Sequence, residues 1–219
     1  MRKLLCASIA LVLLAVAGKS FALTFSMGAG ISPTYSSSEL TATASGSATD
    51  RVSTSVSLAS KLFFDVTYAE LDIGYMIDHG STPGAAGTVT TPSFNGEATY
   101  FTIAGFAKYP IDLGGVLIFP LLGAQLNLNL TLTDANGNDL KAGFTPAQQA
   151  DLNELWLMGG VGADVILGRF FLRPEVLVGF KPLSSADSSS LSALQSLGLS
   201  SVSLTYLSVS VQLLVGARL

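Results

Sequence analysis

From Leu207 to Leu219 the chain alternates without a break. Leu207, Val209, Val211, Leu213, Val215, Ala217 and Leu219 fall on one side; Ser208, Ser210, Gln212, Leu214, Gly216 and Arg218 fall on the other. A period of two marks a strand whose two faces meet different surroundings. The apolar row is longer than a usual soluble strand of ~5–6 residues, and it carries no charge. The chain is 49% hydrophobic and 12% charged, about half the charged share of an ordinary globular domain. Beyond the N-terminus no run approaches the ~20 apolar residues of a membrane helix. A hydropathic chain without such a helix has one other route through a bilayer, a closed barrel in which every backbone group is paired. The 219 residues are enough for one such domain.

The N-terminus reads as an export signal. Arg2 and Lys3 form a positive start, Leu4 to Ala17 an apolar stretch, and Ser20-Phe21-Ala22 a small-x-small cleavage site, so residues 1–22 are expected as a signal peptide and 23–219 as the barrel domain. Cys6 is the only cysteine and lies in this leader, too early for a lipoprotein acylation site. The mature chain then has no disulfide, no thiolate nucleophile and no cysteine metal site. Removing Arg2, Lys3 and Lys19 from the 11 basic residues leaves 8 against 15 acidic ones, a net charge of −7. That balance argues against nucleic acid as a partner.

Seven further segments repeat the pattern. The first strand, Leu23 to Tyr35, sets Phe25, Met27, Ala29 and Ile31 against Ser26, Gly28, Gly30 and Ser32; the second, Arg51 to Lys61, is weaker, with Val52, Val56 and Leu58 apolar. The third, Thr67 to Asp78, puts Leu71, Ile73, Tyr75 and Ile77 opposite Glu70, Asp72, Gly74 and Met76. The fourth, Ala98 to Lys108, is ambiguous, because Tyr100 and Phe106 oppose Phe101 and Ile103. The fifth (Val116 to Leu130), sixth (Glu154 to Ile166) and seventh (Phe171 to Lys181) alternate clearly. With the C-terminal strand this predicts an all-β, eight-stranded antiparallel up-and-down transmembrane barrel.

Charge gives an independent check. Arg51, Lys61, Glu70, Asp72, Asp78, Lys108, Glu154, Asp164, Arg173, Glu175, Lys181 and Arg218 all fall on the non-apolar parity. A Lys or Arg facing lipid at mid-depth costs ~2–4 kcal/mol. Gly28, Gly30, Gly74, Gly160, Gly162, Gly179 and Gly216 share that parity, as expected of a narrow lumen rather than a wet outer face. The connections alternate too: Leu62 to Val66, Tyr109 to Gly115 and Leu167 to Phe170 are short, whereas Ser36–Asp50, His79–Glu97, Thr131–Asn153 and Pro182–Ser201 are long and polar. Short periplasmic turns and four long extracellular loops follow. Two loops carry helix signals, a capping box at Thr145-Pro146-Ala147-Gln148 and Asp187 ahead of Leu191, Leu194 and Leu197.

On these residues the chain resembles the eight-stranded outer-membrane barrels of diderm bacteria: the OmpA transmembrane domain, OmpX and OmpW. The resemblance is architectural and implies residence in the outer membrane, contact with its lipid and insertion by the barrel-assembly machinery. Leu213, Val215 and Leu219 would serve as the assembly signal, with Leu219 where these families usually end on Phe. A soluble domain like the one that follows the barrel in OmpA is not expected.

An eight-stranded lumen is filled by side chains. Glu70, Asp72, Lys108, Glu154, Asp164, Arg173, Glu175, Lys181 and Arg218 are the candidate ion network filling it, since buried charges must pair. Three functions remain open. The first is a barrel whose loops contact an extracellular ligand, a host surface or envelope components. The second is an OmpW-like narrow conduit for apolar molecules, lined in part by Met76, Trp156, Met158 and Leu214. The third is a lipid hydrolase, which the resemblance raises because lipid A deacylases carry a His-x-Ser pair with an orienting Glu; His79 and Ser81 would fill those roles, and Glu97 is expected in a loop. The first is preferred, with no catalytic residue. There is no Gly-x-Ser-x-Gly elbow, Walker loop or His-Glu-x-x-His, and Gly159–Gly162 lies within a strand. No cofactor or metal is expected, and a calcium site at Glu70 and Asp72 is set aside in favour of pairing with Lys and Arg.

Overall fold

The computed structural model describes residues 24–44, 47–82, 94–182, 192 and 201–219, with the side chains of 42–51, 81–82, 94–95 and 201–202 outside that description. The expected signal peptide, the side chain of Arg51 and the helix expected after Asp187 (Ser192 apart) lie outside the described residues. The strands are β1 (Phe25–Ala44), β2 (Ser47–Val66), β3 (Ala69–Thr82), β4 (Phe94–Lys108), β5 (Ile111–Asp112), β6 (Val116–Asp134), β7 (Glu154–Leu167), β8 (Phe170–Phe180) and β9 (Ser201–Arg218). All pairings are antiparallel; β1 bonds to β9 and β4 to β6, so eight strands close a ring and β5 is a small ribbon on β6.

The ring puts the apolar rows outside. Leu122, Leu62, Val215, Val161 and Val211 are more than half exposed, and the wall between them is Leu, Val, Ile, Phe and Tyr. The ambiguous fourth strand resolves with Phe101 and Ile103 outward and Tyr100, Thr102, Ala104 and Phe106 inward. Lys61, Asp65, Glu70, Asp72, Lys108, Asp164, Arg173 and Glu175 are buried inside. Apolar side chains outside and charges inside are the reverse of a soluble domain, and they fit a protein whose outer solvent is hydrocarbon.

Three expectations need correction. The segment Ser36–Asp50, expected as a loop, is mostly strand: β1 and β2 pair from Phe25↔Val66 to Ala44↔Ser47. Twenty residues at ~3.3 Å each far exceed the ~9–11 that cross a membrane, so this ribbon projects beyond the bilayer. Beyond the bilayer a strand has no lipid to select an apolar face, so no hydrophobic period is there to read. At the other end β2 continues through Phe63 and Asp65, and the turn shrinks to Thr67–Tyr68. Glu97 lies not in a loop but in β4, opposite His79.

A register shift between Thr99 and Tyr100, which pair with Thr131 and Asn129, leaves Leu130 bulged on β6. The bulge turns the outer part of β6 so that Leu132 packs inward against Ala59, Met76, Ala98 and Tyr100.

Candidate functional site

The lumen has a solid floor in its short-turn half. Arg173 of β8 is fully buried and is the hub. Its Nε and Nη2 donate to both oxygens of Asp164 at 2.5 and 2.9 Å, Nη2 donates to Asp65 at 2.5 Å, and Nη1 donates to Glu70. Asp65 and Glu70 face each other across β2 and β3, an opposition that destabilises a sheet on its own. Two cations shared by both carboxylates offset it, because Lys108 also bonds Asp65 and stands 3.8 Å from Glu70. The guanidinium lies 4.8, 5.1 and 4.9 Å from the ring centroids of Phe63, Phe119 and Phe171, a set of cation–π contacts in a dry site. Lys61 pairs with Asp72 at 3.4 Å. Leu214, named above as a conduit lining, is instead wedged with Phe63 and Phe171 in this floor.

The expected network therefore divides. Glu70, Asp72, Lys108, Asp164 and Arg173 meet in the floor, joined by Asp65 and Lys61. Asp65 lies beyond the expected strand end at Lys61, yet it shares the inward parity of that lysine. Glu175 is buried opposite Gln212, and its carboxylate oxygens take no hydrogen bond among the described residues. Glu154 and Lys181 form a separate pair, 3.2 Å apart, higher in the barrel. Arg218 sits half-buried at the short-turn rim, outside every ion pair found among the described residues. Leu213, Val215 and Leu219 lie exposed on the outer side of β9 and the chain end.

Above the floor is a cup of about 200 Å³. Ring order sets β1 and β2 across from β6 and β7. The first wall presents Thr34, Ser36, Ser38, Ser53, Ser55 and Ser57; the second presents Gln125, Asn127, Glu154 and Trp156. Glu154 fixes the second wall: its carboxylate accepts from Trp156 Nε1 at 3.0 Å, Asn127 Nδ2 at 3.3 Å and Lys181 Nζ at 3.2 Å. Gln125 Nε2 donates to Asn127 Oδ1 at 2.8 Å, and the Lys181 ammonium lies 4.3 Å from the Tyr206 ring centroid.

The β6–β7 connection is well built. The Asp134 carboxylate accepts from the backbone N–H groups of Asn136 and Asn138 and from Asn138 Nδ2; these bonds hold its carboxyl below the usual range. Thr145 caps the short helix α1 (Pro146–Ala150) in the expected capping box. Lys141 Nζ donates to the carbonyls of Asn129 and Leu130 at 3.0 and 3.1 Å, and Asn153 Oδ1 accepts from Asn129 N at 2.9 Å. The loop is thus pinned onto the carbonyls that the β6 bulge frees.

On the outer wall, His79 Nδ1 stands 3.6 Å from Glu97 Oε2, both side chains largely exposed. Ser81 is two residues further along β3, opposite Asn95, with its side chain outside the described residues. Among the described residues no three His, Cys, Asp or Glu side chains gather as a metal site; Asp72 is engaged by Lys61, and Glu70 by Arg173 and Lys108.

No family model and no curated protein matches the chain. Among solved structures it is similar to Neisserial surface protein A, NspA, at 15% identity over 88% of this chain and 99% of that one, TM-score 0.40. It is similar to Ail, the attachment invasion locus protein of Yersinia pestis, at 13% identity over 88% and 98%, TM-score 0.33. A third is the translocator domain of the autotransporter NalP from Neisseria meningitidis, at 10% identity over 98% and 95%, TM-score 0.25. The closed ring, the apolar wall and the charged interior define the architecture in their own right. It is that of an eight-stranded, membrane-spanning β-barrel.

Proposed function

We propose that this outer-membrane barrel is a sealed anchor that presents an ordered extracellular surface for recognition of host or envelope components. The observation that carries the reading is the Arg173 floor: a fully buried guanidinium bonded to Asp65, Glu70 and Asp164 and boxed by three Phe rings. Such a layer leaves no continuous lining for an apolar conduit. The outer side, in contrast, carries the projecting β1–β2 ribbon and the pinned β6–β7 loop. Residence in outer-membrane lipid requires insertion, for which the outward row Leu213, Val215 and Leu219 offers the assembly machinery its contact.

Two measurements test this. Refolded protein in planar bilayers should give no single-channel steps, and well-resolved openings would transfer the function to conduction. Cells displaying the barrel should gain adhesion to immobilised host matrix or serum components, and replacing residues 135–153 by a Gly/Ser linker should remove the gain; adhesion equal to that of empty cells would sink the reading.

A second reading has its own observation, the register that brings Glu97 beside His79 on the lipid-facing wall, with Ser81 on the same strand. In it Glu97 orients His79, His79 takes the Ser81 hydroxyl proton, and the Ser81 oxygen attacks the ester carbonyl of a lipid A acyl chain. The C–O bond to lipid A breaks, the departing hydroxyl takes the proton from His79, and water activated by His79 then releases the fatty acid from Ser81. Expression in a host outer membrane would then give lipid A lacking one acyl chain by mass spectrometry, and His79→Ala would abolish the loss. Unchanged lipid A disposes of this reading.

A further inference from the structure

We propose that the cup above the floor is a binding site for a neutral polyhydroxylated ligand, one sugar residue in size. The volume of about 200 Å³ is below the ~300–1,000 Å³ of sites for drug-sized molecules, so it takes a single small unit. One wall is a field of serine and threonine hydroxyls. Each hydroxyl both donates and accepts, as do the hydroxyls of a sugar, and short side chains lose little entropy on ordering. The facing wall supplies fixed amide groups, with Trp156 and Met158 beside them as an apolar patch. A sugar ring likewise has hydroxyls around its rim and C–H groups on its faces.

The charges select against other occupants. Glu154 is engaged by Lys181, Trp156 and Asn127, which leaves Asp78, on the cup lining beside Ser55, as the remaining carboxylate there. An anion would meet that carboxylate with no uncommitted cation beside it. An apolar solute would desolvate the hydroxyl wall without replacing its hydrogen bonds. A divalent ion would need a cluster of ligating side chains that the described residues do not form. A carboxylate accepting from a ligand hydroxyl makes one of the stronger hydrogen bonds available, so Asp78 is the anchor. The cup is closed below by the Arg173 floor, so it binds without passage. The source is either a free monosaccharide or the terminal unit of a glycan.

Trp156 is the only tryptophan in the chain and lines the cup, so its fluorescence reports occupancy. The full-length mature barrel, refolded in detergent, is titrated with glucose, galactose, mannose and N-acetylglucosamine, with glucuronate and a sulfated sugar as anionic controls, and calorimetry runs in parallel. Saturable binding is expected for at least one neutral sugar and for neither anion. Asp78→Asn, and separately Ser55→Ala, should weaken it about tenfold or more, in variants shown to be folded by heat-dependent gel mobility. A neutral-glycan array separates terminal units from free sugars. Absence of neutral-sugar binding in both fluorescence and calorimetry, or binding unchanged in both variants, overturns the proposal. These outcomes are independent of the conductance and adhesion tests above.

Discussion

Arg173→Ala is expected to be the most damaging single substitution in this barrel. It leaves Asp65, Glu70 and Asp164 buried around an apolar gap, with Lys108 as their remaining cation. Breaking a buried ion pair by removing one partner costs ~3–5 kcal/mol, and here one side chain serves three carboxylates. Unfolding in urea, followed by the loss of the compact band on unboiled gels, should shift strongly or show no folded species. Arg173→Lys is expected to recover only part of the loss: an ammonium keeps the charge but lacks the planar fork that reaches three acceptors at once. Arg218→Ala, at the rim and outside the ion pairs, should stay within ~0.5 kcal/mol of the parent. Equal stability of the parent and Arg173→Ala would mean that the floor does not hold the barrel together.

The second large effect is expected at the seam between the first and last strands. Gly28 and Gly216 are directly paired across β1 and β9, both on the lumen side. A Cβ on Gly28 would meet the Val215 carbonyl, the Phe63 ring and the Gly216 Cα; one on Gly216 would meet the Phe171 and Phe63 rings. The rings cannot retreat, because both are fully buried around Arg173. Overpacking costs ~1–3 kcal/mol in a core that can adjust. At Gly28 the obstacle includes the backbone of the partner strand, so Gly28→Val should lie at or beyond the top of that range and reduce the yield of closed barrel. Gly105 supplies the control: it lies on the outer side of β4 with nothing within 4 Å of a built Cβ, and Gly105→Ala should fold like the parent. Normal folding of Gly28→Val would show that the seam is looser than this geometry.

The part of the fold between two unlike solvents was legible in the sequence. Where a strand has lipid on one side and packed lumen on the other, alternation fixes its direction and its facing, as at Leu207 to Leu219. The signal failed where those conditions fail. Above the bilayer no lipid selects a face of β1 and β2, and the Ser, Thr and Ala residues of that stretch carry no period. At Leu130 a bulge reverses the parity, which is why Leu132 points inward although it continues an outward row. The candidate site was legible as a set of inward charges but not as a grouping. Parity says that Glu70, Glu154 and Arg218 share the lumen; it does not give their height along the axis, and height separates the floor, the cup and the rim. Asp65 lies four residues beyond Lys61, where the weak alternation of the second strand fades although β2 continues to Val66. The facing of Glu97 and His79 needed the β3–β4 register, which the intervening loop length does not fix.

The floor also bears on how the ring comes to close. Arg173 lies 108 residues from Asp65 and 103 from Glu70 along the chain, a long separation exceeded at the β1–β9 seam, where Ser32 and Ser210 are 178 apart. Contacts of such separation form late and slow folding. Until β8 docks, Asp65 and Glu70 oppose each other without their main cation, and a partly wound sheet carries that repulsion inside an apolar surround. An open, half-assembled barrel therefore has only Lys108 beside these two carboxylates, and the finished ring adds Arg173. The ion layer thus rewards closure of the ring, and so works against a persistent sheet edge in the membrane.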